Sequence, residues 1–204
     1  MAGFKKIDQS ILNINYTTLA YLESIVRGMS MIHIQTYKSP VGEMILGSYG
    51  DALCIANWKY GKTKESIAHK IAKALNSEYI ETLSKTIEEA KKQLDEYFKG
   101  KRKVFDIPLL MVGTPFQKLV WEALFQIPYG ETASYAEQAK RIDNEKAVRA
   151  VASANGANAI AIIIACHRII GSDGNLVGYA GGLSTKKKLL DLEGALNKNQ
   201  LSLF

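Results

Sequence analysis

Cysteine is scarce in this 204-residue chain, which has only Cys54 and Cys166. Two thiols make no framework for a small secreted domain, and their scarcity points to a reducing, cytoplasmic setting. Histidine is limited to three positions, and no CxxC or HExxH spacing occurs. A closed zinc site therefore lacks ligands, and neither a metal nor a cofactor is expected. No run approaches the ~18 apolar residues of a membrane span. The first 30 residues also lack a continuous apolar core behind a basic start, so no signal peptide is read. Excess charge is missing too. The net charge of +6 and pI near 9.1 permit an anionic partner without establishing one. With 47% apolar and 23% charged residues, the composition excludes disorder and fits a globular chain long enough for a real core.

The order along the chain is strands, then helices. Leu19, Leu22, Ile25 and Val26 have helical spacing behind Thr17 or Thr18 as a cap, which predicts a short amphipathic helix before residue 30. From Met31, the runs IHIQTY, GEMILGSYG and ALCIANW are short, β-prone and broken by SPVG and YGD, as strands joined by turns would be. Cys54, inside the third run, reads as a buried core residue. Two helical stretches follow. In the second, Ile80, Leu83, Ile87, Ala90, Leu94 and Tyr97 recur at three and four residues and form one apolar face. KGKRKV reads as a solvated basic connector, VFDIPLL as one more strand, and a boundary is expected near Val112–Gly113.

Beyond that boundary the pattern is helical. Thr114-Pro115 supplies an N-cap with proline at the first helical position, leading FQKLVWEALFQI. Ser134 caps YAEQAKRI. Asp143 or Asn144 caps EKAVRAVASA, which ends at Asn155-Gly156. Two short capped helices joined by about three residues have helix-turn-helix form, a pattern too common to imply DNA binding alone. On the second helix Ala147, Val151 and Ala154 make one stripe. At about 100° per residue, Arg149 points almost opposite, beside Ala152 and Ser153. A long cation among small neighbours can approach another surface closely, although an outward arginine is in itself an ordinary solvated residue.

IAIIIA, residues 160–165, predicts a buried strand that ends in Cys166, His167 and Arg168. A fully buried arginine needs a partner, so the Cys-His-Arg triplet marks either a surface or a built site. A thiol attacks as thiolate, and a neighbouring cation or base can generate it. Neighbours on a strand face opposite sides, so His167 can serve Cys166 only where the chain bends.

Taken in order, TPFQKLVWEAL, IPYGETASYAE, the AVRAVA helix, NGANAIAIII, CHR, VGYAGGL and KKLLDLEG span residues 114–194. Together they resemble the active-site domain of the methylated-DNA–protein-cysteine methyltransferases, the O6-alkylguanine repair proteins. The strand-rich half from Met31 is similar to that family's N-terminal domain. The resemblance implies an α/β (α+β) chain. A ribonuclease H-like domain would cover residues 31–112, and a winged-helix-like helix-turn-helix domain with the active site would cover 113–204. Residues 1–30 would be an extension of unassigned role.

The resemblance also implies the chemistry. Cys166 would take the alkyl group from O6-alkylguanine in duplex DNA, and from O4-alkylthymine, once and irreversibly. His167 would act as its base through a bridging water, oriented by Glu193. Tyr135 would contact the phosphate backbone and the guanine edge. Arg149 would enter the base stack, with Ala150 and Ser153 beside it on the DNA-facing helix. Asn158 would be a hinge by the active-site segment, and Asn158, Tyr179 and Lys186 would line the alkylguanine pocket. The protein would act as a monomer on double-stranded DNA, without a cofactor. Ala159, Ala161 and Ala165 stand where relatives often carry proline, which leaves this segment freer in the unfolded chain. The competing readings are a non-catalytic module that recognises alkylated bases, a helix-turn-helix regulator and a cysteine hydrolase. Cys166 argues against the first. No visible effector segment supports the second, and no second histidine in a partner-like context supports the third.

Overall fold

In a computed structural model, residues 31–61 and 64–196 are described; the helix expected before residue 30 lies outside them. The first half is a four-stranded sheet in the order β3-β2-β1-β4. Strands β1 (Ile32–Ser39), β2 (Gly42–Tyr49) and β3 (Ala52–Trp58) form an antiparallel meander, and β4 (Tyr79–Ile80) pairs parallel to β1. The turn signals act where they were expected: Ser39 pairs with Gly42, and Tyr49 with Ala52. Helix α1 (Lys64–Leu75) crosses between β3 and β4. Helix α2 (Lys85–Phe98) lays Ile87, Ala90, Leu94 and Tyr97 against the sheet.

Two expectations in this half need correction. Ile80 and Leu83 share the helical spacing of α2 but are not in it. Ser84 caps the helix, its Oγ accepting from the Ile87 N–H at 3.2 Å, which fixes the start at Lys85. Ile80 instead pairs with β1, and Leu83 stays half-exposed. VFDIPLL makes a single bridge, Leu53 to Leu109, rather than a strand. Leu53 and its partners exchange only two bonds, to Pro108 O at 2.8 Å and from Leu110 N at 2.9 Å. Pro108 has no N–H with which to continue a ladder.

The second half is helical. Helix α3 (Pro115–Leu124) starts at a reciprocal capping box between Thr114 and Gln117. Helix α4 (Tyr135–Arg141) starts at the same device between Ser134 and Glu137. Helix α5 (Val148–Gly156) follows a 3-10 turn, Glu145–Ala147, whose leading Asn144 makes no side-chain cap, contrary to expectation. Val120, Trp121, Leu124, Ala139, Val151 and Ala154 fill the space between the three helices. Three polar bonds fix their angles. Trp121 Nε1 donates to Ala154 O at 2.8 Å, and the buried amides of Gln138 and Asn155 exchange bonds at 2.6 and 3.2 Å. Helix α6 (Leu183–Leu192) closes the fold, and the two-residue strands β5 (Ala133–Ser134) and β6 (Ile169–Ile170) pair parallel.

The halves meet at β3. Ala56 N donates to Ala159 O at 2.9 Å, and Ala161 N donates to Ala56 O at 2.7 Å. Residues 160–165 are buried as expected but do not form a strand. After these two bonds the chain turns back, with Ile162 at φ +74° and Ile164 N bonded to Ile160 O at 2.9 Å. That backbone is costly for a β-branched residue. It is clamped by Asn158, whose side chain accepts from Ile160 N at 2.9 Å and donates to Ile164 O at 2.8 Å.

Gln138→Leu should lower stability in urea melts by about 1–3 kcal/mol, because it strands the buried amide of Asn155. A loss within measurement error would show that the amide pair does not hold α4 to α5.

Candidate active site

The turn at Ile162 delivers residues 166–168 as one 3-10 turn. A turn here replaces the strand alternation that would have set Cys166 and His167 on opposite faces. Cys166 is 9% exposed and lies at a cavity of about 240 Å³, lined also by Tyr135, Ala152, Gly156, Gly178 and Tyr179. Its Sγ accepts from Asn158 Nδ2 at 3.3 Å. Burial pushes the thiol's pKa up, while the Asn158 bond and the charge of Lys186 pull it down. The buried thiol is therefore protonated at rest and needs a base. Cys54, wholly buried with its pKa pushed up to about 12 by burial, does not line this cavity.

His167 is fully buried. Its Nε2 lies 2.8 Å from Glu193 Oε1, and its Nδ1 has no partner among the described residues. Burial lowers the imidazole's pKa, outweighing the carboxylate beside it. On Glu193 the balance runs the other way. Burial raises its pKa, but the hydrogen bond of His167 and the bonds and charge of Arg168 hold it down at about 2. An ionised carboxylate only accepts, so Nε2 carries the proton and Nδ1 keeps a free lone pair. The pair is thus a neutral imidazole with its basic nitrogen uncommitted.

Glu193 has further partners that the sequence did not reveal. Arg168 gives it Nε at 2.8 Å and Nη2 at 3.1 Å, and bonds Ile127 O through Nη1 at 2.7 Å. Tyr97, from α2 of the first half, donates its hydroxyl to Oε1 at 2.8 Å. Gly130 N donates to Oε2 at 3.3 Å. Gly130 has φ +85°, and a Cβ there would stand 3.0 Å from Glu193 O, so both backbone and space require glycine. The clue to Arg168 was its place between apolar runs, which demanded a buried partner. Nothing marked Tyr97 out from the other apolar positions of its helix.

The other expected residues divide by position. Tyr135, at the start of α4, and Tyr179 line the cavity. Arg149, Ala150 and Ser153 are exposed on α5, and Ala152 of that helix reaches the cavity. Asn158 and Lys186 lie behind the cavity wall rather than lining it. Asn158 is used up by the Ile162 turn and the thiol. Lys186 Nζ is buried against the carbonyls of Ile169, Val177 (2.5 Å) and Gly178 (3.4 Å), and burial pulls its pKa down to about 8. It pins the loop that carries Tyr179. Among the described residues no cluster of three His, Cys, Asp or Glu could hold a metal ion.

Comparison with known proteins matches two family models. Residues 32–111 match the ribonuclease-like domain of 6-O-methylguanine DNA methyltransferase, and residues 115–195 match its DNA binding domain. A methylated-DNA–protein-cysteine methyltransferase of Methanosarcina acetivorans is 46% identical over 159 residues, covering 78% of this chain and 96% of the relative. That of Mycobacterium leprae is 41% identical over 174 residues, covering 85% and 99%. The crystal structure of the Mycobacterium tuberculosis O6-methylguanine methyltransferase superposes with a TM-score of 0.69 at 40% identity, covering 85% of this chain and 99% of that one. The M. tuberculosis OGT in complex with DNA gives 0.68 at 39%, covering 80% and 93%.

Two outcomes follow from this geometry. Because Glu193 is held near 2 against an ordinary 4.5, its contribution to stability is complete above about 4.5 and drains away as pH falls towards 2. Urea melts stepped through that window should show a loss that Glu193→Gln lacks. At neutral pH the same variant should cost about 3–5 kcal/mol by leaving Arg168 uncompensated. An unchanged acid slope in the variant would assign the titration elsewhere. The alanines should also separate. Ala165 has φ −78° and its N–H donates to nothing among the described residues, so Ala165→Pro should add roughly 0.4–1 kcal/mol. Ala161→Pro should destabilise, since it removes the bond to Ala56 O. Thermal melts in which Ala165→Pro falls as far as Ala161→Pro would contradict the backbone described for this turn.

Proposed function

Because this chain belongs to the 6-O-methylguanine DNA methyltransferase family, we propose that its DNA-repair activity, alkyl transfer to a cysteine of its own, runs through Cys166 on O6-alkylguanine flipped out of duplex DNA. The single observation that carries this reading is the cavity with Cys166 at its wall, next in sequence to a buried His167 whose Nδ1 is free and whose Nε2 is held by Glu193.

The steps balance with this chain's own groups. The Cys166 proton passes to His167 Nδ1, directly or through water, and the imidazolium formed is stabilised by the Glu193 carboxylate. The thiolate sulfur attacks the alkyl carbon. The S–C bond forms as the C–O6 bond breaks, and the electron pair leaves on the guanine. The Tyr135 hydroxyl, on the cavity wall, supplies a donor to the departing base. The product thioether has no easy route back, so each molecule acts once. O4-alkylthymine presents the same oxygen-bound alkyl carbon and is a second substrate.

Reaching O6 requires extruding the base, at a cost of a few kcal/mol. Arg149, exposed on α5 among the small side chains of Ala150 and Ser153, fills the gap left in the stack. Phosphate contacts from this helix-turn-helix carry little sequence information, as repair of scattered lesions demands. The protein works as a monomer on DNA, in the cytoplasm, where two free thiols stay reduced. A module that only recognised alkylated bases would need no nucleophile at the cavity.

Intact mass and peptide mapping after mixing with a duplex carrying O6-methylguanine should find one added methyl group, on Cys166 and not on Cys54. Arg149→Ala should slow this reaction by at least about tenfold, the loss of one good stacking contact, and leave reaction with free O6-benzylguanine nearly intact. Label on Cys54, repeated turnover, or equal losses on both substrates would overturn the assignment.

A further inference from the structure

The cavity wall formed by Gly178 and Tyr179 rests on the first half of the chain. Trp58, the last residue of β3, is 5% exposed and meets Tyr179 edge-on, with ring centroids 6.0 Å apart at 71°. Tyr179 in turn stands edge-on to His167 at 6.4 Å and 71°. Three rings thus run from the sheet to the imidazole beside the nucleophile. The backbone touches the same indole. A Cβ at Gly181 would stand 2.6 Å from Trp58 Cε2 and Nε1, closer than carbon approaches anything it is not bonded to. Gly61, just after β3, lies against Ala180, where a Cβ would meet the Ala180 carbonyl at 3.3 Å. Lys186 holds the other end of the loop through the carbonyls of Val177 and Gly178. The loop that shapes the cavity is therefore fixed at two points, an ammonium in its own half and an indole from the other.

We propose that Trp58 is a positioning residue of the alkyl-accepting site: its indole fixes where Tyr179 and Gly178 stand beside Cys166 and thereby sets which alkyl groups the cavity admits. The proposal rests on the alkyl-transfer reading and adds to it a role for the first domain. Trp58 does not touch the reacting atoms; it acts through Tyr179. Its effect falls on the shape of the cavity, and so on what reaches the thiol, rather than on the thiol's own chemistry.

The test is a double-mutant cycle between Gly181→Ala and Trp58→Leu, the latter keeping apolar bulk on β3 while removing the indole edge. The readout is single-turnover reaction with free O6-benzylguanine, resolved into a limiting rate and a half-saturating concentration. In the otherwise unaltered chain, Gly181→Ala should raise the half-saturating concentration about tenfold, the size of one overpacked contact, with the limiting rate little changed. In the Trp58→Leu background the same substitution should cost less than about twofold, because the obstacle is gone. Equal costs in both backgrounds, or a loss confined to the limiting rate, would overturn the proposal. Iodoacetamide labelling of Cys166 reads the same cycle without any alkylguanine. Gly181→Ala should alter the labelling rate only while Trp58 is present, and an equal change in both backgrounds counts against the contact. A chain that never takes up the benzyl group sinks the alkyl-transfer reading instead, and the labelling cycle alone then judges Trp58. Should Trp58→Leu melt below assay temperature, Trp58→Phe, which keeps a ring on β3, takes its place.

Discussion

The buried carboxylate of Glu193 is the point on which the site depends. It receives the His167 ring, two nitrogens of Arg168, the Tyr97 hydroxyl and the Gly130 amide. A carboxylate taken out of water costs several kcal/mol unless its oxygens are satisfied, and these donors satisfy both. Their combined pull overcomes burial and keeps the group ionised. Ionisation dictates the histidine's tautomer, since an acceptor-only partner at Nε2 forces the proton onto that nitrogen. The other nitrogen is left basic, on the residue next in sequence to a thiol that burial keeps protonated. Charge, tautomer and nucleophile are therefore one linked arrangement.

The fold brings these groups together from distant stretches of chain. Glu193 comes from the end of α6, His167 and Arg168 from the 3-10 turn, Tyr97 from α2 and Gly130 from the loop before β5. The 3-10 turn itself hangs from the edge of the first-half sheet through the two Ala56 bonds. Asn158 then converts that edge segment into the tight turn that aims Cys166 at the cavity. The strain of an isoleucine in left-handed backbone is tolerated because the turn is bracketed on both sides and its side chain is buried. The first domain thus reaches the site in three ways: Ala56 by backbone, Tyr97 by its hydroxyl and Trp58 by its ring.

What could be read in the sequence follows from what is local. Thr114 and Ser134 announce their helices because a capping box is closed within four residues. The hairpin turns were legible for the same reason. The Cys166, His167 and Glu193 positions were legible through motifs; the structure pairs His167 with Glu193 and sets Cys166 at the cavity. The failures are non-local or conformational. Ile80 carries a helical spacing, but the strand beside it in space claims it. Pro108 sits in a β-prone run and quietly removes the donor that a strand needs. No composition signal distinguishes Ile162 at positive φ from its isoleucine neighbours, so the run looked like a strand. Lys186 reads as a pocket cation until its ammonium is seen to be surrounded by backbone carbonyls. Tyr97 and Trp58 look like ordinary apolar positions, and only the packing of one half on the other gives them a role at the site.

The central claim is that Glu193 holds His167 as a neutral imidazole with the proton on Nε2 and a free lone pair on Nδ1. Nitrogen-15 NMR of the histidine side chains near neutral pH, with His167 assigned by its loss in a His167→Gln sample, measures this directly. The account predicts a protonated Nε2 and an unprotonated Nδ1 in the resting protein, with the pattern disturbed in Glu193→Gln. A proton on Nδ1, or an imidazolium with both nitrogens protonated, would contradict it.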